Sequence, residues 1–189
     1  FYFTTCGWMM WNWLITSLAT GATIVLYDGS PFYPDGTALL QMADKLKITV
    51  FGTSAKFITS LESAEIKPKQ TSSFQKLRLI LSTGSPLAEE SFDFVYDHWK
   101  KDVQLASISG GTDIISCFAL GNPILPVYRG ELQCRISVWL ALDGDDILRV
   151  AVGVLEQRVQ DAVVVVLVLV LQAVGVSGRR TVGIPFARL

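Results

Sequence analysis

The feature that most constrains the fold of this 189-residue chain is an apolar, β-branched run followed by an amphipathic stretch. The pattern occurs three times and a fourth apolar run follows, so that the runs span residues 23–29, 48–54, 77–84 and 103–111. Strands that alternate with helices in this way pack as a parallel sheet with right-handed crossovers and helices on both faces. The sequence therefore predicts an α/β fold, in which ligands bind beyond the carboxyl ends of the strands.

Charge, cysteine content and histidine content limit the partners, the compartment and the chemistry to be expected of this chain. The 16 basic and 17 acidic residues nearly cancel, and no basic cluster could follow a nucleic-acid backbone, so nucleic acid is not an expected partner. The three cysteines, Cys6, Cys117 and Cys134, are far apart, which suits reduced thiols and predicts a cytosolic protein. The single histidine, His98, lies in the charged stretch YDHWKK and is predicted to be a surface helix residue rather than a catalytic base.

The loop after the third apolar run, STGSPLAEE at 82–90, admits two interpretations. Ser85 as N-cap, Pro86 at the first helical position and acidic residues in the first turn describe ordinary helix capping. Capping does not explain Gly84. The second interpretation is that a glycine at this strand exit lets a planar group or a phosphate approach the backbone closely.

The loop after the fourth run, Ser109-Gly110-Gly111-Thr112-Asp113, also has two interpretations. Free amides, a hydroxyl donor and a hard carboxylate oxygen would suit a nucleotide and Mg²⁺. The same residues would equally form a tight turn in which the aspartate caps the following segment. Neither GxxxxGK[ST] nor GxGxxG occurs in the chain, so no P-loop or dinucleotide fingerprint is supported.

Five strings of the chain carry a resemblance to a known family: TTCGWMMWNWL, VLYDGSPFYP, TVFGTSAK, LILSTGSPL and QLASISGGTDIISCF. In this order they closely resemble the acetoacetate–CoA ligases, acyl-CoA synthetases of the adenylate-forming superfamily, over residues 1 to about 135. The resemblance implies a ligase that converts acetoacetate and ATP to acetoacetyl-AMP and pyrophosphate, after which coenzyme A displaces AMP. ATP, Mg²⁺ and coenzyme A are thus the implied ligands. Such an enzyme acts by positioning and charge neutralisation, which fits a chain with no evident nucleophile.

The resemblance also implies roles for individual residues. Gly84, Ser85 and Pro86 match the family loop that lies against the adenine. A second matching segment wraps the nucleotide, and it comprises Ser107, Ile108, Ser109, Gly110, Gly111 and Thr112. Thr112 is expected to reach the α-phosphate and Asp113 to take the place of the magnesium-binding acid, which is glutamate in most relatives. These two are the expected catalytic residues.

The acyl pocket is the third implied site. Related acetyl-CoA synthetases have a tryptophan at the position of Gly110, and removing that indole is expected to open the volume that a larger keto acid needs. Trp8, Met9 and Met10 match the other side of the pocket, although an apolar stretch at 8–19 also fits a buried helix. For these three residues both interpretations stay open, whereas Trp11 and Trp13 are predicted to be core residues.

The domain boundary is predicted near residue 135. Residues 1–135 match part of the AMP-binding N-terminal domain, and 136–189 are expected to be a divergent tail, either a degenerate piece of the C-terminal lobe or a gene-prediction artefact. The chain is expected to be a fragment, because the family's phosphate loop would precede residue 1 and its catalytic lysine would lie downstream. The apolar run AVVVVLVLVL at 162–171 is too short to span a membrane and predicts a buried or aggregation-prone strand.

Two alternatives to an acetoacetate ligase remain. One is a non-catalytic remnant that binds nucleotide weakly or serves as an interaction module. The other is a ligase for a different short acid, such as acetate or propionate.

Overall fold

A central parallel sheet organises the structure, a computed structural model that describes residues 1–135, 137–143 and 147–153. Its strands are β1 (Val50–Ser54), β2 (Leu79–Thr83) and β3 (Gln104–Ser107), hydrogen-bonded in the order β1-β2-β3. All are parallel, with Thr53 opposite Ser82 and Ser82 opposite Ser107. The predicted α/β class is confirmed, and the three carboxyl ends meet at one edge of the sheet.

The strand predicted at residues 23–29 is wrong, because that segment forms no strand in the structure. The free edge of β1 is taken instead by the first three residues. Phe1 donates from its amino group to the Val50 carbonyl at 3.0 Å, Gly52 N–H donates to the Phe1 carbonyl, and Phe3 N–H donates to the Gly52 carbonyl. A β-branched run needs a partner strand to become one, and residues 23–29 do not take the edge of β1.

The helices are α1 (Met9–Thr16), α2 (Ala38–Lys45), α3 (Ala55–Ser63), α4 (Pro68–Thr71) and α5 (Glu89–Phe94), with a 3₁₀ turn at Ser17–Thr20 and a π-helical turn at Val95–Trp99. Three of them, α2, α3 and α5, follow the predicted amphipathic stretches with shorter bounds, α1 falls in the apolar stretch at 8–19, and the short α4 was not predicted. The 3₁₀ turn after α1 ends at Gly21, whose φ of 77° is the left-handed conformation that glycine adopts without cost. Helix α3 begins at a sequence-encoded cap, since the Ser54 hydroxyl accepts from the Phe57 N–H at 3.1 Å.

The predicted start of α5 needs correction. The helix begins at Glu89 after Ala88, and Ser85 and Pro86 lie in the loop before it. Gly84, at φ 89°, turns the chain after β2, so the next residues run across the end of the sheet before the helix starts. Glu89 and Glu90 do occupy the first turn, as predicted.

The core lies between one face of the sheet and the helices. Phe51, Ile80 and Leu105 are fully buried in adjacent strands, and Trp99 packs edge-on against Phe51 with ring centroids 5.5 Å apart. The prediction that Trp11 and Trp13 are core residues is wrong, because both are only half-buried. The buried residues of α1 are Met9 and Leu14.

A second, antiparallel sheet continues from the end of β3. It contains β4 (Ser109–Gly111), β5 (Ser116–Leu120) and β6 (Cys134–Arg135), in the order β4-β5-β6. Beyond it β7 (Ser137–Asp143) and β8 (Ile147–Gly153) pair as an antiparallel hairpin. The segment at 109–111 is therefore a short strand rather than a loop. Most of the predicted tail, including 162–171, lies outside the described residues.

Candidate nucleotide site

A cavity of about 470 Å³ opens where β2 and β3 end. All of the residues predicted to bind nucleotide line it, namely Gly84, Ser85, Pro86, Ser107, Ile108, Ser109, Gly110, Gly111 and Thr112. Trp8 and Met10 of the predicted acyl pocket line it as well. Two segments separated by 20 residues in the sequence thus form one concave surface, at the sheet edge where parallel α/β folds bind ligands.

One backbone and one side-chain hydrogen bond between the two strand ends hold the first wall of this cavity. Ile108 N–H donates to the Ser82 carbonyl at 2.8 Å, and the Thr83 hydroxyl donates to the Ile108 carbonyl at 3.4 Å. A Cβ at Gly84 would meet only Ser54, at 4.0 Å, so the positive φ rather than crowding requires glycine there. The chain can turn sharply here and leave its backbone open to the cavity.

Thr112 lies at the junction of the antiparallel sheet and the first helix. Its side-chain oxygen accepts a hydrogen bond from the Met9 N–H at 3.1 Å, and Met9 is the first residue of α1. The N-cap residue Trp8 provides no side-chain cap, and a threonine 103 residues away in sequence accepts from one of the N–H groups at this helix terminus. A hydroxyl that accepts this bond keeps its own proton for another acceptor.

Met9 and Asp113 do not line the cavity. Met9 is 2% exposed and packs in the interior, and its contribution is the backbone bond to Thr112. Asp113 is exposed in the turn at Thr112–Ile114, directly after the cavity residues. Within the described ranges, no group of three or more histidine, cysteine or carboxylate side chains is arranged to hold a metal ion.

Gly110 differs from the expectation for an open acyl pocket. A Cβ built there would lie 2.6 Å from Cys117 Cα and closer still to the Ser116 carbonyl oxygen. The space that a side chain would occupy is therefore filled by the backbone of β5. Gly111 is the opposite case, because its backbone is extended, at φ −164°, and a Cβ would meet nothing within 4 Å. The glycine at 110 is required by packing and the glycine at 111 is not.

The thiol of Cys117, a residue of β5, is kept neutral by burial. Cys117 lies opposite Gly110 in the β4–β5 register and is fully buried. Burial raises the pKa of its thiol from 9.0 to about 12, because a thiolate would lose its solvation. Cys117 is therefore a neutral thiol rather than a reactive thiolate at neutral pH.

Sequence reasoning missed four of the lining residues. Thr83 and Leu87 lie within the predicted loop 82–90 and flank Gly84–Pro86, the three residues of it that were assigned to nucleotide binding. Gly130 and Leu132 come from the loop between β5 and β6. No local motif marks this loop as a cavity wall.

The class of protein follows from a comparison with known families. The AMP-binding enzyme family matches residues 2–133, which contain both strand-end segments of the cavity. The chain belongs to this family. No helix in the described part of the chain is both long and apolar enough to cross a membrane.

Within this family, the chain is similar to several acetoacetyl-CoA synthetases. The chain is 62% identical over 144 residues to the acetoacetyl-coenzyme A synthetase of Rhizobium meliloti (strain 1021), an alignment that covers 74% of this chain and 22% of the relative. It is 57% identical over 134 residues to the acetoacetyl-CoA synthetase of Gallus gallus, with 71% and 20% covered. The solved acetoacetyl-CoA synthetase from Streptomyces lividans superposes with a TM-score of 0.68 at 37% identity, covering 80% of this chain and 26% of that one. The chain thus spans about a fifth of the length of these curated relatives.

Proposed function

We propose that this chain forms the nucleotide-facing part of an acetoacetate–CoA ligase. The reaction joins acetoacetate to ATP with release of pyrophosphate, and coenzyme A then displaces AMP from acetoacetyl-AMP to give acetoacetyl-CoA. The observation that carries the proposal is the cavity at the ends of β2 and β3, lined by residues that the family resemblance assigned to nucleotide binding. The named relatives support acetoacetate as the acid.

The residues of the cavity suit the two ends of AMP. The loop Gly84–Pro86 offers open backbone and a flat proline ring for the adenine, since Gly84 brings no side chain between ligand and strand end. Thr112 would donate its free hydroxyl proton to an α-phosphate oxygen. Its oxygen is already held by the Met9 N–H, so the donor is oriented before the ligand arrives and binding costs less ordering.

Mg²⁺ belongs to the proposal through Asp113 alone. Magnesium bound with ATP typically takes one or two carboxylates together with phosphate oxygens and waters. Asp113 is exposed and follows Thr112 directly, so it would add one carboxylate oxygen beside the phosphates. An ion bound there would neutralise phosphate charge. Coenzyme A is proposed as the second substrate, which displaces AMP.

The acyl end of the cavity is assigned to the face that contains Trp8 and Met10. Trp8 is 55% exposed although it lines the cavity, so its indole is free to cover a small acid. Gly110 contributes its backbone at this end. Selection of acetoacetate over acetate is therefore proposed to arise from the shape of the whole surface, since a side chain at 110 would meet β5 before it met the acid.

The compartment proposed is the cytosol. All three cysteines are free in the structure, which suits a reducing environment.

The experiment that tests the function is a chimera. Residues 1–135 would replace the matching segment of the Rhizobium meliloti relative, and acid-dependent ATP–pyrophosphate exchange would be measured with acetoacetate and acetate. We expect exchange that prefers acetoacetate. The unmodified relative is the positive control, and the same chimera with Thr112→Val is the matched negative control. A folded chimera with no exchange, or one that prefers acetate, would contradict the proposal.

A further inference from the structure

The loop between β5 and β6, residues 121–133, closes one side of the cavity without any helix or strand of its own. Gly130 and Leu132 of this loop line the cavity together with the strand ends. A loop of this length is mobile unless side chains fix it. Two sets of polar contacts do so, one at its neck and one at its tip.

Gln133 closes the neck of the loop. Its side-chain oxygen accepts from the Asn122 N–H at 3.2 Å and from the Gln104 amide at 3.1 Å. Its side-chain nitrogen donates to the carbonyls of Leu125 and Pro126 at 2.9 and 3.1 Å. One amide therefore joins both ends of the loop and ties them to β3.

Arg129 fixes the tip of the loop to α5. Its Nε–H donates to both carboxylate oxygens of Asp93, at 3.1 and 2.9 Å, and its Nη1 forms an ion pair with Glu89. A guanidinium that engages two carboxylates through different nitrogens is fixed in direction as well as in distance. The pKa of Arg129 is raised, chiefly by the hydrogen bond to Asp93, so the arginine stays charged.

Gly130 shows how closely the loop approaches the helix. Its φ is 76°, and a Cβ there would lie 2.7 Å from Cγ of Glu89. Helix α5 starts directly after the loop Gly84–Ala88, so the contact joins two walls of the cavity.

We infer that Arg129 is a positioning residue of the cavity, a latch that holds the loop 121–133 against α5 so that its wall faces the nucleotide. Arg129 does not line the cavity and acts through Gly130 and Leu132. The identity of the ligand as an adenine nucleotide rests on the proposed function, whereas the closed loop rests only on the contacts of Arg129. Each ion pair is half-exposed, so the latch is worth little to global stability and acts on the position of the loop.

The experiment compares Arg129→Met with the native 189-residue chain. Hydrogen exchange of residues 122–133 is measured without nucleotide, and the Kd for AMP is measured from tryptophan fluorescence. Asp93→Asn is the partner variant. Asp102→Asn is the matched control, because it removes an exposed carboxylate that pairs with Lys100 and lines no part of the cavity. Arg129→Lys keeps the charge but loses the planar guanidinium that reaches both carboxylates, and it serves as the second variant if the methionine variant does not fold.

We expect Arg129→Met to exchange faster throughout the loop and to bind AMP roughly three- to tenfold more weakly, with an unchanged unfolding midpoint. Asp93→Asn shows the same changes to a smaller degree, Arg129→Lys lies between, and Asp102→Asn matches the native chain. Loop exchange that stays native in Arg129→Met would overturn the latch, as would unchanged AMP affinity. A native chain that binds no AMP would contradict the proposed function, and the exchange measured without nucleotide would still decide the latch.

Discussion

The two walls of the cavity are built by different physical means. The strand-end wall, formed by Gly84–Leu87 and Ser107–Thr112, continues from parallel strands whose hydrogen bonds and buried side chains hold it. The loop wall, formed by Gly130 and Leu132, is held by polar side chains that are partly exposed. Disturbing the first wall should therefore cost global stability, whereas disturbing the second should cost local order.

The glycines on these walls sharpen this contrast. Gly110 is required by packing against β5, and Gly84 is required by its positive φ with free space around it. Gly130 combines a positive φ with a neighbour that can move, the side chain of Glu89. Substitutions at these three sites therefore test separately whether strand packing, backbone conformation or the contact with Glu89 determines the shape of the cavity.

The largest effect is expected for Gly110→Ala. The new methyl group would meet the backbone of Ser116 and Cys117, which cannot move without disrupting the β4–β5 pairing. We expect a loss of about 3 kcal/mol in the free energy of unfolding, at the upper end of overpacking costs. Urea denaturation measures it. Gly111→Ala is the matched control and should stay within about 0.5 kcal/mol of native, so equal losses at the two positions would refute the packing argument.

Gly84→Ala should cost less, about 1–2 kcal/mol, because only the positive φ opposes a Cβ at this position. The same denaturation series measures the change. Gly84→Asn provides the control, since asparagine tolerates the left-handed region better than alanine. An alanine variant as stable as the native chain would mean that the turn relaxes easily and that backbone conformation does not hold this wall.

A feature of the fold or of the cavity could be predicted from the sequence where its cause lies within a few neighbouring residues, and not where the cause is a contact between distant segments. An apolar run that ends in glycine placed the two strand-end loops at the sheet edge, and the family resemblance, rather than that pattern, assigned their residues to the nucleotide. The strand predicted at 23–29 does not form, and Phe1–Phe3 rather than this run lies at the edge of β1. Propensity cannot report which of two segments takes an edge.

The loop wall was missed for a similar reason. Leu132 reaches the cavity because Arg129 pairs with Asp93, which lies 36 residues earlier in the sequence. Gly110 was expected to widen the acyl pocket, and the structure shows in addition that a Cβ at this position would meet the backbone of β5. A glycine that leaves space for a ligand and a glycine that leaves space for a neighbouring strand look the same in sequence, and only the register of Gly110 against Cys117 distinguishes them.

Thr112→Val tests the junction between the strand-end wall and α1. The substitution keeps the shape but removes the acceptor of the Met9 N–H, and losing such a helix cap costs about 1 kcal/mol. It also removes the proton proposed for the α-phosphate, so AMP should bind more weakly. Thr112→Ser retains both functions and should stay close to native in unfolding and in AMP titration. A serine variant that loses as much as the valine variant would contradict the hydroxyl argument.

Gln133→Ala should have the smallest effect on global stability and the clearest local one. The amide makes its bonds at a half-buried position, where water can replace part of what is lost, so we expect a loss below about 1 kcal/mol. Exchange of the amides of residues 122–133 should nevertheless rise, because the neck of the loop no longer joins Asn122 to Gln104. Amides of β2 and β3 should keep their native exchange rates in the same sample and serve as the internal control. If exchange instead rises equally in the loop and in the parallel strands, the two walls share one cooperative unit, and the distinction between them disappears.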